Sequence, residues 1–449
     1  MKNLVDINLL AKEKLLKLAS RFIINSSEKT MQRIAYLLEL MAPKKDKPFF
    51  KNIIKTLNKD NPQYQIYRRI LIESNENFCN KSINNLLIKG AVLNQAKRNE
   101  AVRNGSAVPT VVLVSPTMRC NLSCYGCYAN NYSRKDDLDF ATVDRIIDEG
   151  KEMGVAFFTF LGGEPFLWES LFSIIDKHSD AFFLIFTNGT LIDEKAGKTI
   201  AELGNVMPIV SIEGSEEDTN ERRGNNVYKK IMSVMEILKG LKIPFGYSIT
   251  VTRKNIYFVT SDEFFKFMID KGAVIGWYFI YMPIGRDFDL SLMPEPQERI
   301  FLKDRIHNVR RNLPLFAIDF WGDAPYVGGC IAGKRYIHIN HKGDVEPCIF
   351  THFAEVNIKN STLKEAMNCE YFKEIRKRQP YSENLYLPCM LIDSPSVSRE
   401  LFNCCNIYST DNNSERLLFE INNEIDRYSE KVKPEYDRVW EKEKDRYKR

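Results

Sequence analysis

Six short apolar runs alternate with amphipathic segments between residues 108 and 290, and few folds accommodate such an alternation. Runs rich in β-branched and aromatic residues cover 110–116, 156–162, 182–189, 206–214, 245–252 and 276–283. Between them, apolar residues recur three to four positions apart, as in helices, at 141–153, 167–179, 191–203, 227–241 and 261–272. Strands that alternate with helices form βαβ units and a parallel sheet. We therefore predict an α/β fold with a partial (β/α)6 TIM-like barrel over residues 106–290, whose reactive groups follow the carboxyl ends of the strands.

The regions on either side of the barrel have different patterns. Residues 1–105 are predicted to form a helical N-terminal region, and residues 291–412 a small α+β extension. Within the extension, residues 334–350 are expected to form a hairpin that turns at Lys342-Gly343-Asp344. Residues 413–449 are predicted to be a charged helical tail.

Charge and composition exclude some classes of function. The formal net charge is only +5, which gives no reason to expect a nucleic acid partner. Residues 1–100 carry 19 Lys and Arg against 9 Asp and Glu, so the basic character belongs to the N-terminal region. These helices could contact an anionic membrane surface or an acidic partner, but a packed helical cap is the favoured interpretation. The chain shows neither an apolar run of about 18 residues nor a secretory pattern, so we expect a cytoplasmic protein.

The ten cysteines are clustered, which favours metal ligation over a disulfide scaffold. Cys120, Cys124 and Cys127 directly follow the first predicted strand with the spacing CxxxCxxC. Three thiolates can bind three irons of a cubane and leave the fourth iron open, whereas an ordinary electron-transfer cubane uses four. Zinc is the alternative ligand, although structural zinc prefers four protein donors.

The triplet, followed by Gly162-Gly163-Glu164-Pro165 after the second strand, resembles the signature of the radical S-adenosylmethionine (SAM) superfamily. The resemblance implies a [4Fe–4S] cluster on the triplet and SAM at its open iron. It also implies that the backbone and acidic side chain of the GGEP motif receive the SAM amino group. Further contacts with the SAM ribose and carboxylate are implied for Asn188, Ser211 and Arg223.

One position departs from that family's pattern. Gly126 stands where similar proteins have an aromatic residue that contacts adenine. Tyr128 is the neighbouring aromatic residue that could replace it.

The activity implied by the resemblance is reductive cleavage of SAM to a 5′-deoxyadenosyl radical, which abstracts hydrogen from a substrate. The substrate could be a peptide, a lipid or a small metabolite, and a reductant such as flavodoxin or ferredoxin is expected as a partner. The alternative is a non-enzymatic iron–sulfur protein that transfers electrons or senses redox state. The GGEP motif favours the enzyme, because an electron carrier needs no site for the SAM ammonium group.

A second cysteine pattern lies in the C-terminal extension. Cys330, Gly343 and Cys348 have the spacing that opens the SPASM/twitch extension of many radical SAM enzymes. This resemblance implies a second [4Fe–4S] cluster with Cys330, Cys348 and Cys389 as ligands. The fourth ligand stays open among Cys404, Cys405 and substrate, and the alternative is that these cysteines are free or bind zinc. The dense later cysteines of the full pattern are absent, so at most one auxiliary cluster is expected.

Other candidate residues carry weaker signals. Cys79 and Cys369 are expected to be plain buried thiols. Nearby histidines are assigned packing roles in preference to ligation: His338, His341 and His352. Arg286 could bind an anionic substrate group, although a structural ion pair is an equal alternative. With the same alternative, three further residues could line a substrate pocket: Asp319, Trp321 and Asp323.

Overall fold

Parallel strands form one nine-stranded sheet in the computed structural model, which describes residues 28–41, 51, 54–103, 107–285 and 287–447. The strands are β1 (Val111–Thr117), β2 (Phe157–Gly162), β3 (Phe183–Thr187), β4 (Val206–Ser211), β5 (Phe245–Val251), β6 (Ala273–Ile280), β7 (Phe316–Asp319), β8 (Tyr336–Ile339) and β9 (Val345–Glu346). Their order is β7-β6-β5-β4-β3-β2-β1-β8-β9, and β9 alone among them runs antiparallel to its neighbour. The predicted α/β fold with a partial TIM-like barrel is confirmed.

Helices follow most strands, and their ends carry the expected signals. They are α1 (Glu28–Met41), α2 (Pro62–Leu71), α3 (Glu76–Ser82), α4 (Asn94–Arg103), α5 (Phe140–Met153), α6 (Leu171–Lys177), α7 (Glu194–Leu203), α8 (Glu216–Arg223), α9 (Val227–Gly240), α10 (Ile256–Val259), α11 (Asp262–Lys271), α12 (Pro296–Asn312), α13 (Ala324–Val327), α14 (Leu363–Met367), α15 (Glu370–Arg378), α16 (Pro395–Cys404), α17 (Arg416–Phe419) and α18 (Asn422–Glu443). A π-helical segment, Ile83–Leu93, joins α3 to α4. Asp139 caps α5 and Asp193 caps α7 through their carboxylates, as is usual for acidic N-cap residues.

The two faces of the sheet bury different side chains, because successive residues of a strand point to opposite sides. Val112, Phe160 and their equivalents pack in the main core together with buried helical residues. On the other face, aromatic rings of β6 and the segments after β7 and β9 meet inside the barrel. Phe279 lies 5.1 Å from Phe320 and 6.5 Å from Phe350 between ring centroids. The interior beside β6 and β8 is therefore largely aromatic.

The described N-terminal helices close the amino-terminal end of the barrel. Phe78 of α3 is buried against Leu184 and Ile209 on the inner face of the sheet. Polar side chains of this region bind the segments that precede the strands: Asn85 donates to the Ala181 carbonyl before β3 (2.8 Å), and Arg69 donates to the Ile269 carbonyl at the end of α11 (3.1 Å). Residues 61–103 thus form a packed cap, whereas residues 1–27 lie outside the described part of the chain.

The C-terminal extension completes the sheet at the β1 edge. Strand β8 pairs in parallel with β1, and the predicted hairpin is present, with Gly343 at φ +94° in the turn to β9. Two short antiparallel strands follow, β10 (Phe353–Ala354) and β11 (Tyr408–Ser409). The domain limits at 105, 290 and 412 stay predictions.

Two details differ from the sequence prediction. Strand β7 was not expected, and it extends the sheet beyond β6. The pattern of residues 361–378 predicts a single helix, but the structure divides this segment into α14 and α15, because Cys369 has the extended backbone of an N-cap residue. Helix α18 packs against α12 through buried residues. Among the described helices, none combines the length and apolar character that crossing a membrane requires.

Candidate functional site

The loop after β1 gathers three thiols. Burial raises the pKa of Cys120 to about 11, and the neighbouring Cys124 and Cys127 contribute to that increase. The neighbouring thiols therefore lie close enough to disfavour ionisation of Cys120, and a bound iron cation would reverse this effect. The Leu122 amide also points at the Cys120 Sγ, at 3.4 Å. This donor set fits an iron–sulfur cluster, whose thiolates commonly accept backbone N–H bonds.

Arg222 fixes the cysteine loop from the opposite side. Its guanidinium donates to the carbonyls of Tyr125 (3.2 Å) and Gly126 (3.4 Å), and its own carbonyl accepts the Tyr125 amide (3.0 Å). The same guanidinium pairs with the buried carboxylate of Glu213, just after β4. Sequence reasoning missed Arg222 and Glu213. Their position beside the predicted Ser211 and Arg223 was the available signal.

Arg223 shares the carboxylate of Glu213. Its Nε and Nη2 lie 2.8 and 2.6 Å from Glu213 Oε1, while Oε2 is buried without a hydrogen-bond partner in the described part of the chain. The guanidinium of Arg223 also interacts electrostatically with Cys124 and Cys127. A cation therefore lies beside the cysteine loop where the sequence predicts one.

The two glycines of the GGEP motif are required because their backbone lies very close to the backbone of the segment after β1. A Cβ at Gly162, which has φ +122°, would lie 2.3 Å from the Thr117 carbonyl, and one at Gly163 would lie 2.2 Å from the Arg119 carbonyl. The amide of Gly163 donates to Thr117 (3.1 Å), and the amide of Glu164 donates to Arg119 (2.8 Å). The motif thus packs the end of β2 directly on the start of the cysteine loop.

The Glu164 side chain has a different position from the one expected of it. It is 0% exposed, and its carboxylate accepts bonds from Thr187 Oγ1 (2.7 Å), the Asn188 amide (2.8 Å) and the Phe166 amide (3.2 Å). Burial raises its pKa to about 7. The carboxylate therefore links β2 to β3, and the motif offers only its backbone to a ligand.

Polar groups of the next two strands lie at the same end of the barrel. Asn188, after β3, donates to Asn121 Oδ1 at 2.9 Å and approaches Cys120 Sγ at 3.8 Å. Ser211, at the end of β4, lies 3.1 Å from the hydroxyl of Ser248 on β5. The structure thus brings both predicted residues to the carboxyl ends of the strands, and Asn188 contacts the cysteine loop.

The departure at Gly126 has a steric reason. Its φ is +61°, and a Cβ there would lie 2.9 Å from the ring of Tyr281, so an aromatic side chain does not fit. Tyr128 packs instead against the ring of Phe350, with 5.9 Å between centroids, and lies 6.4 Å from that of His352. Its ring joins the cysteine loop to the C-terminal extension, and nothing in this arrangement assigns it to adenine.

The extension gathers three further thiols. Burial raises the pKa of Cys330 to about 11 and that of Cys348 to about 12, and the charge of Cys330 acts on both Cys348 and Cys389. As at Cys120, the Sγ atom of Cys348 accepts the amide two residues later (3.5 Å), and so does that of Cys389 (3.4 Å). The repeated N–H···S pattern and the buried thiols suit a second iron–sulfur cluster.

Two further cysteines of the extension, Cys404 and Cys405, contact each other. The Sγ atoms of Cys404 and Cys405 are 3.4 Å from each other, and the charges that act on Cys405 come from Cys404, Glu374 and Glu355. The fourth ligand of the second cluster therefore stays open. Within the described residues, no three His, Cys, Asp or Glu side chains are arranged to hold one metal ion. A cubane presents a separate iron to each thiolate, so its ligands do not converge on one point.

Two of the three histidines have partners for both ring nitrogens. His338 bonds to Ser115 Oγ (2.7 Å) and Glu346 Oε2 (2.6 Å), and His352 bonds to Asp411 Oδ2 (2.5 Å) and the Ile349 carbonyl (2.9 Å). These contacts agree with packing roles. His341 is buried, with no hydrogen-bond partner for its ring in the described chain.

The candidate pocket residues separate into different environments. Trp321 packs 5.9 Å from Phe350 in the aromatic interior, whereas Asp323 is held by both Nη atoms of Arg310 (2.7 and 2.6 Å). Asp319 is buried, and burial raises its pKa to about 6. Arg286 lies outside the described residues.

Comparison with known proteins identifies the family. Residues 114–256 match the model of the radical SAM superfamily, and residues 330–390 match that of the SPASM iron–sulfur cluster-binding domain. The chain belongs to the radical SAM superfamily and carries a SPASM domain. It is an enzyme that uses a [4Fe–4S] cluster and SAM, with an additional cluster implied by the SPASM domain, so the non-enzymatic alternative is wrong.

Similar sequences include two enzymes with different names and one uncharacterized protein. The AdoMet-dependent heme synthase of Oleidesulfovibrio alaskensis is 27% identical over 315 residues, which cover 62% of this chain and 80% of that protein. An uncharacterized protein of Methanocaldococcus jannaschii is 34% identical over 201 residues, 42% of this chain and 68% of its own length. The mycofactocin maturase MftC of Mycobacterium tuberculosis is 25% identical, with coverage of 62% and 76%.

Solved structures show the same fold at lower identity. The AdoMet-bound structure of anSMEcpe matches with a TM-score of 0.51 at 20% identity, over 72% of this chain and 98% of that one. Streptococcus suis SuiB matches with a TM-score of 0.52 at 17% identity, over 63% and 71%.

Proposed function

We propose that this enzyme cleaves SAM reductively at the cluster held by Cys120, Cys124 and Cys127 and removes a hydrogen atom from a substrate at the open end of the barrel. The observation that supports this most is the thiol triplet at the carboxyl end of β1, against which Gly162 and Gly163 pack their backbone. When bound, the cluster supplies the electron and SAM supplies the 5′-deoxyadenosyl radical.

The residues around the triplet would position the cofactors. Arg222 holds the loop carbonyls, so that the three thiols keep their spacing. The backbone at Gly162 and Gly163 would receive the SAM amino group. Arg223 would attract the SAM carboxylate, because its positive charge already lies beside the thiols.

Hydroxyl and amide groups at the strand ends would complete the SAM site. Asn188 contacts the cysteine loop directly, and Ser211 lies at the end of β4 beside Ser248. Both are suited to bind ribose hydroxyls, because each offers a donor and an acceptor.

The second cluster would be bound by Cys330, Cys348 and Cys389. Its protein environment is connected to the first site by the contact of Tyr128 with Phe350, the residue whose amide points at Cys348. The electron for the first cluster would come from a small reductant such as flavodoxin or ferredoxin.

The aromatic side chains inside the barrel restrict the substrate only to a broad chemical class. Rings of Phe279, Phe320 and Trp321 line the side of the barrel next to the extension, and the buried Nε1 of Trp321 has no hydrogen-bond partner in the described chain. A substrate whose reacting part is apolar and carries an oxygen acceptor would fit this wall. Such parts occur in peptides, lipids and small metabolites. SuiB, which shares the fold, has been crystallised with its precursor peptide.

The test is formation of 5′-deoxyadenosine by anaerobically reconstituted enzyme with dithionite and SAM. We expect the Cys124→Ala variant to form none above background, because the triplet then lacks one of its iron ligands. Cys79→Ala is the matched control, since that thiol donates to the Leu71 carbonyl in the N-terminal cap (2.7 Å), and it should retain the activity. Equal product from Cys124→Ala and the parent would contradict the proposed mechanism.

A further inference from the structure

A fully buried ion pair lies beneath the second thiol set. Arg299 of α12 and Asp393, in the segment between Cys389 and α16, are 1% and 0% exposed in their side chains, and Arg299 Nη1 lies 2.8 Å from Asp393 Oδ1. The free-energy penalty of removing two charges from water can offset their mutual attraction, so a buried ion pair is weak evidence of a stabilising role. The pair therefore needs another explanation.

Asp393 is bonded directly to the turn that carries Cys389. Its Oδ2 accepts the Cys389 amide (3.0 Å), and the Cys389 carbonyl accepts the amides of Asp393 and Ser394 (both 3.0 Å). One oxygen of the Asp393 carboxylate thus accepts a hydrogen bond from the backbone of a predicted cluster ligand, and the other pairs with Arg299. Any change in this pair acts on the electrostatics and the geometry of Cys389 together.

Helix α18 seals the pair from solvent. The ring of Tyr436 faces the Arg299 guanidinium, at 5.1 Å from its centroid, and Ser429 Oγ donates to the Asp393 carbonyl at 2.8 Å. The Tyr428 side chain of α18 also lies beside the Arg299 guanidinium. A guanidinium buried in this way projects its charge through a medium of low polarity, where charges act strongly.

We propose that Arg299 and Asp393 are positioning residues that set the reduction potential of the cluster bound by Cys330, Cys348 and Cys389, with α18 as the cover that keeps water away. The inference depends on the proposed function in one respect, that these cysteines bind a cluster. Net charge and solvent exposure are established determinants of cluster potentials.

The two members of the pair should act in opposite directions. A reduced cluster carries one more negative charge, which Arg299 stabilises and Asp393 destabilises. Arg299→Met should therefore make the cluster harder to reduce and lower its midpoint potential. Asp393→Asn should raise the potential, while its amide oxygen can still accept the Cys389 amide.

The experiment uses the full chain with Cys120, Cys124 and Cys127 replaced by Ala, so that only the second cluster remains. The iron content should be about four per chain, the stoichiometry of one cubane. EPR-monitored redox titrations then compare Arg299→Met, Asp393→Asn and Arg299→Lys in this background. The matched control is Arg399→Met, which removes an arginine from the partly exposed Arg399–Asp426 pair (2.9 Å) and should leave the potential unchanged.

Opposite shifts in the first two variants, with Arg299→Lys close to the parent, would support the proposal. Shifts in the same direction, or none, would overturn it. If both neutralising variants lose their iron, Arg299→Lys decides: retained iron at the parent potential supports the charge pair, and lost iron shows a packing role alone. A background chain that binds no iron would instead refute the second cluster itself, and the inference with it.

Discussion

Glu164 is the residue whose burial has the clearest consequence for stability. Its pKa rises from the usual 4.5 to about 7, so the folded chain holds this proton more tightly than the unfolded chain does. The tighter proton binding stabilises the folded state fully below pH 4.5, and this contribution is lost as the pH rises to about 7. For this pKa shift, the lost contribution to the unfolding free energy is about 3 kcal/mol. The glutamine of Glu164→Gln cannot ionise. The unfolding free energy of this variant, measured by urea denaturation between pH 4.5 and about 7, should therefore not fall in this way. The exposed Glu152→Gln is the control, and an unchanged pH profile in Glu164→Gln would contradict the assignment.

At the same scale, the sequence could predict which residues surround the site more readily than what each one contacts. The triplet, the paired glycines and Arg223 all lie at the end of the barrel where they were expected. The hydrogen bond from the Asn188 amide to Glu164 and the bonds of Arg222 to the cysteine loop join segments that are distant in the chain. No local pattern specifies such contacts, because they depend on how neighbouring strands align.

Among the elements, the N-terminal helices give a direct test of packing. Phe78 of α3 is 1% exposed and sits against the inner face of the sheet, so Phe78→Ala should lower the unfolding free energy by about 3–5 kcal/mol through lost burial and a cavity. Val102 of α4 is 63% exposed, and Val102→Ala should change stability by less than about 0.5 kcal/mol. Urea denaturation measures both. Similar losses in the two variants would show that α3 does not close the barrel.

The periodicity of the sequence predicted the strands β1 to β6 and the helices between them, because each buries a strongly apolar face. It did not predict β7, whose four residues follow α12 and do not alternate between apolar and polar residue types. Nor did it predict that β8 would pair with β1, since the partner of a strand is decided by tertiary packing and not by its own pattern. The break at Cys369 reflects a capped helix start within a segment that is helical throughout by composition.

On the scale of the whole molecule, two sets of cysteines lie beyond strands of one sheet, with Cys120, Cys124 and Cys127 after β1 and Cys348 after β9. The hairpin of β8 and β9 places Cys348 close to the barrel, and the Tyr128–Phe350 contact connects the two sites. Spacing in the sequence pointed to the first set, with zinc as the alternative to a cluster, whereas the second set followed from the resemblance to the SPASM/twitch extension. The cover that α18 provides could not be foreseen, since its charged sequence indicates a solvated helix while Tyr436 and Val432 are buried.

The most direct measurement is the EPR spectrum of the anaerobic, dithionite-reduced enzyme before and after addition of SAM. The open iron of the first cluster predicts a change in the spectrum when SAM binds. The change should persist in a Cys330→Ala/Cys348→Ala variant, whose iron falls from about eight to about four per chain. A spectrum that SAM leaves unaltered would contradict the claim that Cys120, Cys124 and Cys127 hold a cluster with a vacant iron.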